Sequence, residues 1–201
     1  MGEGRLRDIL MISSKAKKIS FERSVIKTIR FLEKEKVAYF VLGGLAVGVL
    51  GEPRFTLDID LDIFVEREDL GIFLKRAKDG PFQFNVRAAM VNVEKFGTFR
   101  IFCDGVQVDM ILASTALEKS ALQRRKQLAL FSKKTFFPTA EDLILLKLIP
   151  GRPKDLIDVE SVFLRHKGRL DTDYLKRWAE KICDESENFK ILHLLKKFLK
   201  L

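Results

Sequence analysis

In the stretch Arg54-Phe55-Thr56-Leu57-Asp58-Ile59-Asp60-Leu61-Asp62-Ile63-Phe64-Val65, apolar and acidic residues alternate from Leu57 to Ile63. Successive side chains of a strand point to opposite faces, so the pattern predicts a strand over 55–65. Leu57, Ile59, Leu61, Ile63 and Val65 take the core face, and Asp58, Asp60 and Asp62 the other. Same-face carboxylates about 7 Å apart repel by about 2.4 kcal/mol at an effective dielectric near 20. A partly buried acidic row of this kind calls for a cation. Asp58 and Asp60 are the candidate ligands, while Asp62 is expected to be solvated or paired with a lysine.

Upstream, 37–42 is a short apolar run ended by Gly43-Gly44, and 45–50 is compact enough for a short helix before Gly51-Glu52-Pro53 stops it. A tight glycine turn ahead of a helix brings backbone N–H groups to bear on phosphates. Before that, Ser20 reads as an N-cap, with Phe21, Val25, Ile29 and Leu32 at helical spacing to about residue 35. Residues 1–19 carry five basic side chains and read as a basic arm.

Downstream, 67–78 reads as a helix broken at Asp79-Gly80-Pro81. Strands are expected over 82–93 and 98–103, and Asp104-Gly105 is a hairpin signal into a strand over 106–112. On that strand Asp109 falls on the less apolar face. It supplies a third carboxylate if its strand lies beside the first pair, which meets the oxygen-ligand needs of a Mg²⁺-type site for nucleotide chemistry. A helix over 114–124 and a hairpin around Ser132-Lys133-Lys134 follow. Thr139-Ala140-Glu141-Asp142 resembles a capped helix start, Pro153 suits the first turn of the next helix, and two further helices are expected near 171–183 and 187–200.

With 201 residues, 47% of them apolar, the chain can bury a full core. The predicted class is α+β: a mixed sheet flanked by helices, with a C-terminal helical segment. Its divisions are a basic N-terminal arm over 1–19, a core over 20–138 and a helical region over 139–201. There is neither an eighteen-residue apolar run nor a signal-peptide pattern, so a cytoplasmic protein with no membrane contact is expected. Cys103 and Cys183 belong to no C-x-x-C pair and lie far from His166 and His193, which argues against zinc and leaves any metal to oxygen ligands. The net charge of +9 suits a polyanionic partner, with Arg124, Arg125, Lys126, Lys133 and Lys134 as its candidate contacts.

Taken in order, Gly43-Gly44, Arg54-x-Thr56-x-Asp58-x-Asp60 and a later Asp109 resemble the nucleotidyltransferase superfamily that shares the DNA-polymerase-beta catalytic fold. The run Glu141-Asp142-Leu143 with Lys147, then Gly151-Arg152-Pro153-Lys154-Asp155 and Asp158, resembles the branch containing the AbiEii-type toxins. The resemblance spans roughly 24–166 and implies a catalytic and metal-binding set of Asp58, Asp60 and Asp109 holding Mg²⁺ or Mn²⁺. It implies a nucleotide-binding set of Gly43, Gly44, Arg54, Thr56, Lys147 and Asp155 for an NTP substrate. Many superfamily members carry serine after the first glycine; Gly44 here leaves only a backbone contact. The implied activity is transfer of a nucleoside monophosphate to an acceptor hydroxyl, an RNA or tRNA end being favoured, with a toxin role and an antitoxin partner suggested by the branch. The alternatives are nucleotidylation of a protein or a small molecule such as an aminoglycoside, and a non-catalytic nucleotide- or RNA-binding module. Arg54 and Thr56 could also simply begin the strand, and Arg152, Lys154, Asp155 and Asp158 could be an ion-pair set that pins helices together.

Overall fold

The computed structural model describes residues 15–186 and 189–200; residues 1–14 of the basic arm lie outside the described residues. The elements run α1 (Lys15–Lys34), β1 (Ala38–Val41), α2 (Gly43–Leu50), β2 (Ile59–Phe64), α3 (Leu70–Asp79), β3 (Phe82–Gln83), α4 (Val86–Phe96), β4 (Thr98–Cys103), β5 (Val106–Leu112), α5 (Ala116–Arg124), β6 (Lys126–Leu130), β7 (Lys133–Phe137), α6 (Ala140–Leu148), α7 (Pro153–Arg165), α8 (Thr172–Ser186) and α9 (Lys190–Phe198). This is the expected α+β class.

The main sheet has five strands in the order β1-β2-β5-β4-β3, and β6 pairs with β7 in a separate ribbon. All pairings in the main sheet are antiparallel except β2 with β5, which is parallel. One face of the sheet is apolar: Ile59, Leu61 and Ile63 of β2, Phe99 and Ile101 of β4, and Val108 and Met110 of β5 are all buried. Phe31 of α1 and Phe73 of α3 lie 5.9 Å apart ring to ring, and Phe73 lies 6.5 Å from Phe99, so these two helices cover that face. The opposite face carries the acidic residues. At its β1–β2 side it is covered by Ala121 and Leu122 of α5, Phe136 of β7 and Leu146 of α6, all packed around Phe40.

Several boundaries differ from the sequence expectations, each for a local reason. The acidic strand is ordered only from Ile59; 52–58 is irregular, and Leu57, assigned to the core face, is exposed. The strand expected over 82–93 is only two residues long and gives way to α4. Asn85 caps that helix by accepting a hydrogen bond from the Ala88 N–H at 3.0 Å, and Gly97 ends it in the left-handed region at φ +66. Val86, Ala89, Met90 and Val93 face inward at helical spacing, a period that outweighs their β propensity. At the other end, α1 is already formed at Lys15, so Ser20 lies inside the helix rather than capping it. The β6–β7 turn is tighter than expected, at Phe131-Ser132, with Phe131 at φ +53.

Asp62 departs most from expectation. It is fully buried, neither carboxylate oxygen has a hydrogen-bond partner among the described residues, and its register neighbours are Phe40 and Ile111. Covering by α5 and α6 removes solvent from this end of the acidic face, so the expected solvated or lysine-paired aspartate is not what forms. Burial, with a smaller contribution from Glu118, pushes its carboxyl up to about 8.

Candidate active site

The uncovered end of the acidic face gathers the sequence-predicted carboxylates. Because β2 and β5 are parallel and in register, Asp60 sits directly beside Asp109, with their backbones about 4.8 Å apart. Asp58 stands exposed just ahead of β2. Burial raises the Asp60 carboxyl, and the charges of Asp109 and Asp58 raise it further, while Lys147 and Arg54 pull it down. Like charges held together against desolvation form a site short of positive charge.

The two glycines are explained by close approach. Gly43 begins α2 at φ +59, and a Cβ there would lie 1.7 Å from the Asp60 Oδ2. At Gly44 a Cβ would meet the Thr56 Cβ at 2.6 Å and an Arg54 guanidinium nitrogen at 3.1 Å. The start of α2 therefore lies flat against Asp60 and against the loop carrying Arg54 and Thr56. Leu42 donates its N–H to the Asp60 carbonyl at 2.8 Å, and no side chain caps the helix. Its first N–H groups are left facing the acidic cluster, an arrangement suited to receiving an anion.

Around this centre runs an ion-pair network. Arg54 grips Asp158 with two bonds, at 2.7 and 3.0 Å. The Lys147 ammonium donates to Asp158 at 2.8 Å and to Asp155 at 3.2 Å, and Arg152 grips Asp155 at 2.6 and 3.3 Å. Asp155 is fully buried and Asp158 almost so. Burial alone would raise the Asp155 carboxyl, but Arg152 and Lys147 outweigh it and hold it below the usual range. The helix α7 bearing both acids is fastened to the end of α2: His166 Nε2 bonds the Leu50 carbonyl at 2.8 Å, and Arg165 donates to the Gly51 carbonyl at 2.6 Å. Lys147 and Asp155 thus meet each other beside Asp60, and of the ion-pair set expected from Arg152, Lys154, Asp155 and Asp158 all but Lys154 take part, joined by Arg54 and Lys147.

Two partners of the site escaped the sequence reading. Arg100 of β4 is the register partner of Asp109 and holds its carboxylate with Nε at 2.7 Å and a second nitrogen at 3.1 Å; Gln107 donates to the same carboxylate at 2.9 Å. A two-residue turn at Asp104-Gly105 makes opposed residue numbers sum to a constant, so the hairpin signal already placed Arg100 across from Asp109. As they stand, no three His, Cys, Asp or Glu side chains among the described residues close around a common metal position. The donor set still suits a hard, oxygen-ligated cation: three carboxylates, one with its ionisation disfavoured by the other two. Arg100 now neutralises the acid that such a cation would engage.

The basic residues 124–134 are largely committed elsewhere. Arg124 bonds the buried Asp142 at 3.2 Å and lies 3.8 Å over the Tyr174 ring, Arg125 lies over Phe136, and Lys133 pairs with Glu33 at 2.8 Å. Asp142 also accepts a 2.5 Å bond from Tyr174, whose hydroxyl burial and this bond push up to about 12. Arg124 thus ties α5 to α6 and α8, and Lys133 ties β7 to α1, while Lys126 and Lys134 stay exposed.

Among solved structures, the chain resembles the antibiotic-resistance factor ANT(2'')-Ia in solution, at 14% identity and a TM-score of 0.51, covering 83% of this chain and 97% of that one. It likewise resembles ANT(2'')-Ia in complex with adenylyl-2''-tobramycin, at 15% identity and a TM-score of 0.50, covering 89% and 97%. An antigenic nucleotidyltransferase-like protein from Paracoccidioides brasiliensis aligns at 16% identity and a TM-score of 0.47, covering 88% and 92%. At these identities the first two likenesses concern the fold alone. No curated protein sequence matches the chain significantly. No helix among the described residues is long and apolar enough to cross a membrane. The family described as nucleotidyltransferase of unknown function (DUF6036) matches residues 23–200; these comparisons do not single out the AbiEii-type branch. The paired carboxylates, the glycine-started helix and this match agree, and the chain belongs to that nucleotidyltransferase family.

Proposed function

We propose that the protein transfers a nucleoside monophosphate from an NTP to an acceptor hydroxyl and releases pyrophosphate, with Mg²⁺ or Mn²⁺ in support and an RNA or tRNA end as the favoured acceptor. The observation that carries this reading is the in-register Asp60–Asp109 pair beside the uncapped start of α2. Asp58, Asp60 and Asp109 would hold the cation, which when bound supplies charge neutralisation for the triphosphate and the attacking oxygen. The free N–H groups at the start of α2 receive phosphate oxygens, and the closeness of Gly43 to Asp60 keeps those phosphates next to the carboxylates. Arg54 and Thr56 shape the wall of this cleft, with Phe55 and Leu57 exposed on either side of Thr56. Lys147, held by Asp155 and Asp158, lends positive charge from behind. Asp109, once released by Arg100, accepts the proton of the acceptor hydroxyl as the new O–P bond forms and the bond to pyrophosphate breaks. Most of the catalysis is then positioning and charge compensation.

Arg100 neutralises Asp109, and Asp58 and Asp60 keep the cluster negative overall, so a polycationic small molecule such as an aminoglycoside also fits the acceptor side. A protein acceptor is compatible with the same geometry. The toxin role and the antitoxin partner rest on the AbiEii-type resemblance alone. The Arg100–Asp109 fork also favours a second reading, a module that binds nucleotide without turnover, since it occupies the third carboxylate. Incubation with labelled NTPs and cellular RNA separates these readings. Label entering RNA and lost in Asp58→Ala supports transfer; equal labelling by that variant refutes the assigned role of the carboxylates. NTP-dependent thermal stabilisation with no product in RNA, protein or small-molecule fractions supports the binding module.

A further inference from the structure

A groove of about 570 Å³ lies away from the carboxylates, between α1 and α3. Its banks carry Lys27, Arg30 and Lys34 from α1 and Arg76 from α3, against the two acids Glu35 and Asp79. Lys27 is paired with Asp104 at 2.6 Å and Arg76 with Glu35 at 2.9 Å, whereas Arg30 and Lys34 have no partner among the described residues. Between the banks the floor is formed by the buried Phe31 with Gly80 and Pro81. Phe31 is fixed edge-on to Phe82 at 5.0 Å and tilted against Phe73 at 5.9 Å. Gly80 lets the loop before Pro81 settle onto that ring, since a Cβ there would sit 3.2 Å from it.

We infer that this groove is a binding site for a single-stranded nucleic acid, engaged through its phosphates by Arg30, Lys34, Lys27 and Arg76. Lys27, Arg30 and Lys34 stand on one face of α1 at intervals of three and four residues. They span about 10 Å of helix axis, the length of about three stacked nucleotides. Two of these cations are unpaired, so phosphate contacts there displace counterions rather than break ion pairs within the fold. Phe31 and Pro81 give the groove an apolar floor, and the phosphate contacts carry the affinity. The groove also connects to the catalytic cluster. Lys27 reaches Asp104, in the turn between β4 and β5, and Asp109 lies three residues past the start of β5 at Val106, roughly 10 Å along the strand. A strand anchored in the groove must round this hairpin end to present a terminus at Asp109, which requires an acceptor of about eight nucleotides or more. That part of the inference rests on an RNA acceptor for the carboxylate site; binding in the groove does not.

The test measures fluorescence anisotropy of a labelled twelve-nucleotide single-stranded RNA with full-length protein, without NTP. Arg30→Glu/Lys34→Glu is compared with Lys196→Glu/Lys197→Glu, an equal charge change on exposed positions of α9. The groove variant should bind at least tenfold more weakly than the control, and its plot of log affinity against log salt should flatten by about 1.4, the value for two lost single-strand phosphate contacts. Equal weakening by both variants, or displacement of the RNA by millimolar inorganic phosphate, would overturn the inference. Because no transfer is measured, absence of nucleotidyl transfer leaves this result intact. If transfer to RNA occurs, the groove variant should raise KM for acceptors longer than about eight nucleotides while leaving kcat, and KM for shorter acceptors, unchanged.

Discussion

Asp62→Leu replaces a carboxylic acid by its heavy-atom isostere in a fully closed apolar site, and it should make the protein more stable as pH rises. Asp62 contacts no solvent, and neither of its oxygens has a partner among the described residues. Its carboxyl, pushed up to about 8 from the ordinary 3.8, stays protonated in the fold at pH values where the unfolded chain has already ionised it. An acid raised in this way holds its full contribution to stability below the unfolded value. That contribution is lost as pH climbs through the window from about 4 to about 8. Each unit within the window costs about 1.4 kcal/mol, so between pH 5 and pH 8 the wild type should lose roughly 3 to 4 kcal/mol from this group alone. Leucine has nothing to ionise. The larger side chain costs some overpacking, about 1 to 3 kcal/mol, against a hydrophobic gain of similar size, and both are independent of pH. Urea unfolding followed by the fluorescence of Trp178, the single tryptophan, in the presence of EDTA at pH 5, 6, 7 and 8 gives the stability difference between variant and wild type at each pH. That difference should grow by about 3 to 4 kcal/mol over the series. A constant difference would mean that Asp62 ionises in the folded state, and the closed, unpartnered environment assigned to it would be wrong.

Lys147→Met removes the cation that Asp155 and Asp158 share but leaves each its arginine, and should lower stability by about 1.5 to 3 kcal/mol, read as a drop in Tm. The Asp155 carboxyl is held low, so its contribution is present above the unfolded value and lost as pH falls through the folded one. Wild-type stability should therefore also decline on the acid side, a decline abolished in Asp155→Asn. Gly43→Ala adds a methyl group at φ +59 against the Asp60 carboxylate and should abolish NTP-dependent thermal stabilisation even where the variant still gives a folded circular dichroism spectrum. Arg100→Ala frees Asp109 from its fork and should raise Mn²⁺ affinity by tenfold or more, measured by the loss of the free-ion electron paramagnetic resonance signal. Unchanged affinity would place Asp109 outside the cation site.

Local chemistry made much of this architecture legible. Asp104-Gly105 turns the β4–β5 hairpin with both residues at positive φ, Thr139 caps α6 and Pro153 starts α7, all where the residue types demand it. The Asp60–Asp109 pairing was legible in part for the same reason, since alternation and the hairpin set the face of each, whereas Asp58 lies ahead of β2 and outside the alternation that was expected to place it. What failed depended on neighbours distant in sequence. Nothing near Asp62 reports that α5 and α6 close over it, and nothing near Arg124 reports that Asp142 and Tyr174 take up its charge. The helix α4 was missed because Val86, Met90, Val91 and Val93 suit either structure, and the Asn85 and Gly97 caps that decide between them are short-range signals easily read as loop.

The ion pair between Arg54 and Asp158 joins positions 104 residues apart, and the Asp60–Asp109 pairing likewise waits for β5 to arrive beside β2. Loop-closure entropy makes such long-range contacts slow to form. No fragment that stops before α7 can hold Arg54 against the start of α2, and none that stops before β5 has the third carboxylate. Nucleotide and cation binding should therefore be a property of the finished chain, gained in the last phase of refolding, which makes ligand affinity a reporter of complete assembly.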